Sequence, residues 1–456
     1  MLFTSLPFLG FFVLVVPGYA LLPSRTRTGW LLLASYVFYA WAYPPHLLLL
    51  LGVTATAHLI GHRVTRRPWL LPTGIALILL PLLIFKYGGF LTGGSTGLGT
   101  LLLPTGISFF TFQAISYLVD VHRGTILAER RPARLALYLA FFPQLLAGPI
   151  ERARMLFPQL TRLGPIRGSN LYLGLKKLLW GFFCKLVIAD HLALIVDAIL
   201  AEPARASASS LLIAMALFSF QIYYDFLGYT LIALGLAQTL GIQLSPNFAK
   251  PYLATSLRDF WHRWHITLST WFRDYVYIPL GGKTNTGTRS ALGVITTFTL
   301  SGLWHGAAIT FLLWGSVHGL LYLLERLLAK TRLATVDARA PRIVLVFLVV
   351  TLAWTCFRIP TLHDLAIVWQ KLLLLDTTIP IGHLHDVFTR PETTTYLLLT
   401  LAAFILDSSG WMDRRIDRAP RSRGALAAEL VAVDAMLVLV LITGDASARQ
   451  FLYFRF

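Results

Sequence analysis

Two histidines have the surroundings to do chemistry. His305 lies in TFTLSGLWHGAAITFLLWGSVHG, an apolar run where a charged side chain costs several kcal/mol and is usually paired, cavity-facing and functional. An imidazole tolerates burial when neutral and titrates near neutrality. It can therefore take the proton of a hydroxyl that attacks a thioester, a contribution typically of about 10²- to 10⁴-fold. Gly302 and Gly306 flank it and leave room for a ligand or a neighbouring backbone. The competing reading is a packing histidine bonded to a carbonyl, the role expected of His318 in the same run.

The second histidine, His265, lies in LRDFWHRWHITLSTWFRDYVYIPL, residues 257–280. Six charged or titratable residues, Arg258, Asp259, His262, Arg263, Arg273 and Asp274, exclude this stretch as a membrane span. At helical spacing, Leu257, Phe260, Trp261, Trp264, Leu268, Trp271, Phe272 and Tyr275 share one face, which predicts an interfacial amphipathic helix. His265 falls at the border of that face with Ser269 one turn later, while His262 and Arg258 lie toward the polar side. An interfacial anchor whose histidines meet phosphates or water is the competing reading. No metal site is expected, because the His262/His265 pair needs further ligands that the segment does not supply.

These residues must be positioned by membrane helices. The 456 residues are 56% hydrophobic and 13% charged with a mean hydropathy of +0.68, far more apolar sequence than a soluble core needs. A net charge of +18 would suggest nucleic acid in a soluble chain. Here the basic residues gather in short segments between apolar runs, the positive-inside pattern, and nucleic acid is not an expected partner. The basic segments fall at Arg25/Arg27, Arg63/Arg66/Arg67, 122–134, 151–167, 250–289, 326–342 and 414–423.

Between them lie a first helix over 2–22, read as uncleaved, and hairpins over 29–60, turning at Tyr43-Pro44-Pro45, and over 69–121, turning at the Gly-rich 88–99. The run 135–149, with Pro143, Gly148 and Pro149, is too short to cross and predicts a re-entrant element. Spans follow at 171–200 and 210–240, a hairpin at 291–325, and single spans near 343–358, 394–407 and 426–443. The segment 359–393 is external in this scheme, with a surface helix in LHDLAIVWQKLLLL. The expectation is an all-α polytopic protein of about 11–12 transmembrane helices in one domain over 1–456, with both termini outside. Cys184 and Cys356 lie in apolar runs and support neither disulfide nor metal site.

Other polar residues fall in apolar sequence. Asp225, in FQIYYDFLGYT, needs a partner, with Arg or His as candidates. Asp120 stands near a helix end, Gln221 is buried, and Glu151, in GPIERAR beside a basic loop, is expected to form surface ion pairs.

Five strings together resemble one family: PTGISFFTFQAISYLVD (104–120), FFPQLLAGPIERA (141–153), YYDFLGYTLIALG (223–235), SPNFAKPYLATSLRDFWHRWHITLSTWFRDYVYIPLGG (245–282) and SGLWHG (301–306). They resemble the membrane-bound O-acyltransferases, in the bacterial branch of alginate O-acetylation and teichoic-acid D-alanylation proteins. The likeness covers about residues 1–330 and is weak over the C-terminal spans and tail, 331–456.

The resemblance implies a ring of helices around a central funnel in a bacterial cell membrane, His305 as the central catalytic histidine and His265 as the second. It implies an acyl thioester arriving from the cytosol, acetyl-CoA first of all, as co-substrate with no bound cofactor. The acyl group would pass toward a cell-surface glycan, often through an SGNH-type extracytoplasmic transferase partner. Trp304, Ser269 and Asp225 become substrate- or donor-binding candidates. Arg258, Arg263 and Arg273 could meet CoA phosphates or dock an acidic carrier protein. The terminal FLYFRF resembles an aromatic motif in which a tyrosine relays the acyl group, which singles out Tyr453; an aromatic tail lying in the interface is the alternative. Leu227 and Leu231 depart from the family's DFSGYSD pattern.

Three rival functions remain at this level. D-alanyl transfer from a carrier-protein thioester is the nearest. A proton-coupled transporter or flippase would use buried Asp and His residues too, but would be expected to show repeats. A non-catalytic scaffold would tolerate loss of His305.

Overall fold

The computed structural model describes residues 1–93, 102–146, 148–282, 287–328, 338–375, 391–420, 422–444 and 451–452. All regular structure in the described residues is helical. Contacts divide the chain into two compact units, Met1–Gly181 with Tyr229–Pro246 and Phe182–Gly228 with Asn247–Phe456.

The first unit opens with α1 (Leu6–Leu21), α2 (Ser24–Ala40) and α3 (His46–Gly61). The turn between α2 and α3 contains the expected Tyr43-Pro44-Pro45. Next comes α4 (Leu70–Leu82), which continues through a π-helical turn as far as Leu91. It is followed by α5 (Ile107–His122); most of the Gly-rich turn between them lies outside the described residues. The 135–149 run contains two short helices, α6 (Pro132–Ala140) and α7 (Phe142–Leu145), broken at Phe141, and its described residues are buried. Burial without the length to cross agrees with the expected irregular element.

Phe3, Phe8, Phe11, Phe38 and Phe142 pack ring on ring at the heart of this unit. The Ser35 hydroxyl oxygen accepts the Phe142 amide at 3.1 Å and so satisfies the broken backbone. Gly106 opens α5 at φ +78°, and a side chain there would strike the Leu145 carbonyl at 2.4 Å, so only glycine fits.

Glu151 corrects an expectation. It is 2% exposed and accepts from both the amide and the hydroxyl of Ser245. The sequence suggested surface ion pairs because it showed the neighbouring arginines and not the strand of chain that folds over the carboxylate. Burial pushes its pKa up to about 7, against the opposing pull of Ser245 and Arg152.

The helix α8 (Ala153–Thr161) leads to α9 (Gly168–Phe182), whose Gly174 sits against Gly235 of the long α11 (Ala208–Thr239). A Cβ on either glycine would meet the other's carbonyl oxygen within 2.8 Å, so the two helices approach as closely as backbones allow.

In the second unit a seven-residue π-helical segment, Phe183–Ala189, leads into α10 (Asp190–Leu200). The stretch expected as one interfacial helix is two, α12 (Leu257–Arg263) and α13 (Ile266–Phe272), followed by a π turn at Arg273–Tyr277. The break falls at Trp264 and His265, and His265 takes φ 43°, so the single helical wheel does not hold across it. The stretch is also not a surface anchor: Phe260, Trp264 and His265 are at most 1% exposed.

Next comes the hairpin of α14 (Thr288–His305) and α15 (Ile309–Leu328), then α16 (Arg339–Arg358), α17 (Leu362–Leu374), α18 (Pro391–Ser408), α19 (Trp411–Ile416) and α20 (Arg423–Thr443). The expected helix in LHDLAIVWQKLLLL is α17, which buries Leu365 and Val368 and leaves Leu373 and Leu374 exposed.

Among the described residues, five helices are long and apolar enough to cross a membrane: Leu70–Leu91, Ala208–Thr239, Ile309–Leu328, Arg339–Arg358 and Arg423–Thr443. Leu6–Leu21 and His46–Gly61 are apolar but shorter. Five such helices in an all-α chain make this a multi-pass membrane protein.

Candidate active site

The site is built from the end of one helix and the break in another. The α14–α15 hairpin is held together by glycines: a side chain at Gly302 would lie 2.2 Å from the Phe311 carbonyl, and one at Gly315 2.3 Å from the Phe298 carbonyl. Only bare backbone allows that approach. His305 is the last residue of α14, before the turn at Gly306. An 18-residue helix rises about 27 Å, so α14 carries His305 a bilayer-scale distance from its basic start. The imidazole is 4% exposed, with the rings of Trp304, Trp314 and Phe357 at 5.0, 5.1 and 5.2 Å.

His265 reaches the same neighbourhood from the α12–α13 break. Its ring lies 5.8 Å from Trp304 and 4.6 Å from Phe226, so one indole touches both histidines. The Asn247 side-chain oxygen fixes its tautomer. That oxygen accepts the Thr267 amide at 3.3 Å and the Thr267 hydroxyl at 2.6 Å, so the His265 Nδ1 facing it at 3.3 Å is a donor. The proton on Nδ1 leaves the lone pair on Nε2, the arrangement of a base oriented by a third group. Burial disfavours the charged imidazolium.

The sequence marks Asn247 only as an Asn between Ser245-Pro246 and Phe248, with nothing to signal its contact across the break. His318 is fully buried among Trp261, Trp314 and Trp354, but neither ring nitrogen meets the carbonyl expected of a packing histidine among the described residues.

A cavity of about 1140 Å³ opens beside these elements, lined from α12, α13, α14, α15 and α16. Trp261, Val294, Phe298 and Val346 give it apolar walls, and Arg258, Arg273, Arg326 and Arg342 also line it. Of the candidates from sequence, Arg258, Arg273 and Ser269 belong to it; His305, His265 and Trp304 do not line it, and the wall comes nearest them in sequence at Ile266 and Ser301. Arg263 does not: it pairs with Asp259 at 2.7 Å and donates to the Ala249 carbonyl. Ser301, one turn before His305, lies on the wall. Glu325 enters the site by capping α12, accepting the Leu257 and Arg258 amides at 2.8 and 3.1 Å, which holds Arg258 at the cavity.

Asp225 differs from expectation. Its partner is neither Arg nor His but Lys185, at 2.6 Å, and it is absent from the cavity wall. The signal for Lys185 in the sequence is a lone cation in the apolar run WGFFCKLVIAD. Tyr223, also in the YYD string, donates to Asp407 of α18 at 2.6 Å. Tyr453 lies outside the described residues.

Two buried histidines that share one indole, with a cationic, apolar-walled cavity along the same helices, form the candidate site of this multi-pass all-α protein. The profile of the membrane-bound O-acyltransferase family matches residues 131–362. The chain is 38% identical to the probable alginate O-acetylase of Azotobacter vinelandii over 390 residues, covering 81% of this chain and 77% of that one. It is 34% identical to the peptidoglycan O-acetyltransferase of Helicobacter pylori over 80% of this chain and 76% of that one. The teichoic acid D-alanyltransferase of Bacillus subtilis is 33% identical over 47% of this chain and 57% of that one. The chain belongs to the membrane-bound O-acyltransferase family and is an O-acyltransferase of the bacterial cell membrane. That membership decides against transport and against a passive scaffold.

Proposed function

We propose that the protein moves an acetyl group from cytosolic acetyl-CoA toward a hydroxyl of an extracytoplasmic polysaccharide, with His305 as general base. The observation that carries this reading is the Trp304 indole in contact with both His305 and His265, close to a cavity that pairs apolar walls with arginines. An acyl-pantetheine arm suits apolar walls, and Arg258, Arg273, Arg326 and Arg342 suit CoA phosphates. As the hydroxyl attacks the thioester carbonyl, His305 takes its proton; the C–S bond breaks and the thiolate leaves, taking up a proton in turn. His265, with its lone pair on Nε2, is the second histidine of this reaction, and Trp304 holds the two in register.

Acetyl is favoured over D-alanyl because the acetylases match about four-fifths of the chain and the D-alanyltransferase about half. The terminal tyrosine Tyr453 is proposed as an acyl relay to an SGNH-type partner, with both chain termini on the outer side. A Tyr453→Phe variant with full polymer acetylation would refute the relay.

The test supplies purified wild type and His305→Ala with radiolabelled acetyl-CoA and follows thioester consumption and label retained on the protein. Turnover or label in wild type, reduced about 10²- to 10⁴-fold in the variant, supports the reading. Equal turnover in both removes His305 from the chemistry. Silence with acetyl-CoA and activity with an acylated carrier protein would move the donor assignment to the D-alanyl type.

A further inference from the structure

The reaction as proposed gives no part to Lys185, which is 1% exposed within the second unit. It lies on the π-helical segment Phe183–Ala189, and such wide turns inside helices are frequent at functional sites. Its ammonium is 2.7 Å from Asp190 and 2.6 Å from Oδ1 of Asp225. The other carboxylate oxygen, Oδ2, accepts the backbone N–H of Leu452 at 2.8 Å, across 227 residues of chain. Phe451 and Leu452 are 0% and 6% exposed. The Phe451 ring packs 5.6 Å from Phe226, whose ring in turn stands 4.6 Å from His265.

An ion pair in an apolar interior adds little stability over apolar residues of the same size, so stability alone is a weak reason for it. A carboxylate is, however, about twice as strong an acceptor for a backbone N–H as a neutral group. Here one oxygen is held by Lys185 and the other holds the chain end.

We propose that Lys185 and Asp225 form a latch that seats the C-terminal tail, through the Leu452 amide and the Phe451 ring, against Phe226 beside His265. The two are positioning residues: they act on the reaction by fixing the tail and touch no reacting atom. The inference goes beyond the proposed reaction and relies on it only for the activity readout.

The seat is tested by maleimide labelling of Leu452→Cys in a Cys184→Ala background, with native Cys356, buried in α16, as the internal reporter of global loosening. The thiol at 452 is expected to label slowly in the otherwise intact chain. In Lys185→Met/Asp225→Leu, which removes both charges and keeps volume, it should label roughly tenfold faster or more while Cys356 stays unmodified. Asp225→Asn, which keeps shape, should fall between the two and serves alone if the double variant does not fold. Fast labelling in the intact chain, an unchanged rate in the variants, or labelling of Cys356 in step with residue 452 overturns the latch. These readings hold whatever reaction the protein catalyses.

For turnover, the double variant and a chain ending at Gly444 should each lower kcat without raising KM for acetyl-CoA. Their combination should be no worse than either alone, because both break one device. Additive losses would also overturn the proposal.

Discussion

His265 combines a chemical group with an uncommon backbone. At φ 43° and ψ 55° it occupies the left-handed region, which costs a non-glycine residue about 1–2 kcal/mol. Replacement by glycine removes both the ring and the strain, while alanine removes the ring alone. His265→Gly should therefore be about 1 kcal/mol more stable than His265→Ala in thermal unfolding, although both lose the imidazole. If both variants also fall about 10²-fold or more in acyl transfer, activity follows the ring and not the backbone.

Glu151 makes a prediction of different sign. Its folded pKa, near 7, is raised above the ordinary carboxylate value, so between about 4.5 and 7 the folded chain binds more protons than the unfolded one. Its contribution is fully present at the acid end and is lost as pH rises through 7. Melting temperatures of wild type should fall over that window relative to Glu151→Gln; parallel curves would show the carboxyl to be ionised throughout.

Among the elements, the α14–α15 hairpin matters most, because it alone places His305. Gly302 and Gly315 let its two backbones meet, and a methyl group at either would sit within 2.3 Å of a carbonyl oxygen. Gly302→Ala should cost about 1–3 kcal/mol, the usual range for overpacking, and should lower turnover by moving His305 away from Trp314 on the facing helix. Unchanged melting and turnover would mean that the helices part without consequence. The α12 cap offers a second lesion: Leu257 and Arg258 donate to different oxygens of Glu325, so Glu325→Gln removes the charge and leaves one of the two amides facing an NH2 group. It should cost about 1–2 kcal/mol in thermal unfolding.

For the whole molecule, the +18 charge has a kinetic meaning as well as a topological one. Four arginines line the cavity, and the anionic donor proposed above would be drawn to it through water in which salt screens charges over about 8–10 Å. KM for acetyl-CoA should therefore rise several-fold between 50 and 200 mM salt, with kcat little changed. Arg258→Gln and Arg273→Gln should each raise KM about tenfold and flatten that dependence. A salt-independent KM would place the donor phosphates elsewhere.

Sequence by itself determined the class of solvent and most of the helices, and it supplied the candidates for the chemistry. Bilayer thickness and the positive-inside bias are one-dimensional constraints, and they located the α2–α3 turn at Pro44-Pro45 and the hairpin carrying His305. His305 was legible because an ionisable group in apolar sequence is costly and therefore informative.

Tertiary structure decided what depends on residues far apart in the chain. The wheel drawn through 257–280 failed at His265 because Asn247 and Thr267 stabilise a left-handed break that no periodicity encodes. Glu151 looked like a surface acid until Ser245 folded over it. Asp225 needed a partner, and only folding supplied Lys185 on one oxygen and the amide of Leu452 on the other. Apolar pattern is local, and a chain can state it residue by residue. Hydrogen bonds between distant segments form only once packing has removed water, so the identity of each partner belongs to the fold.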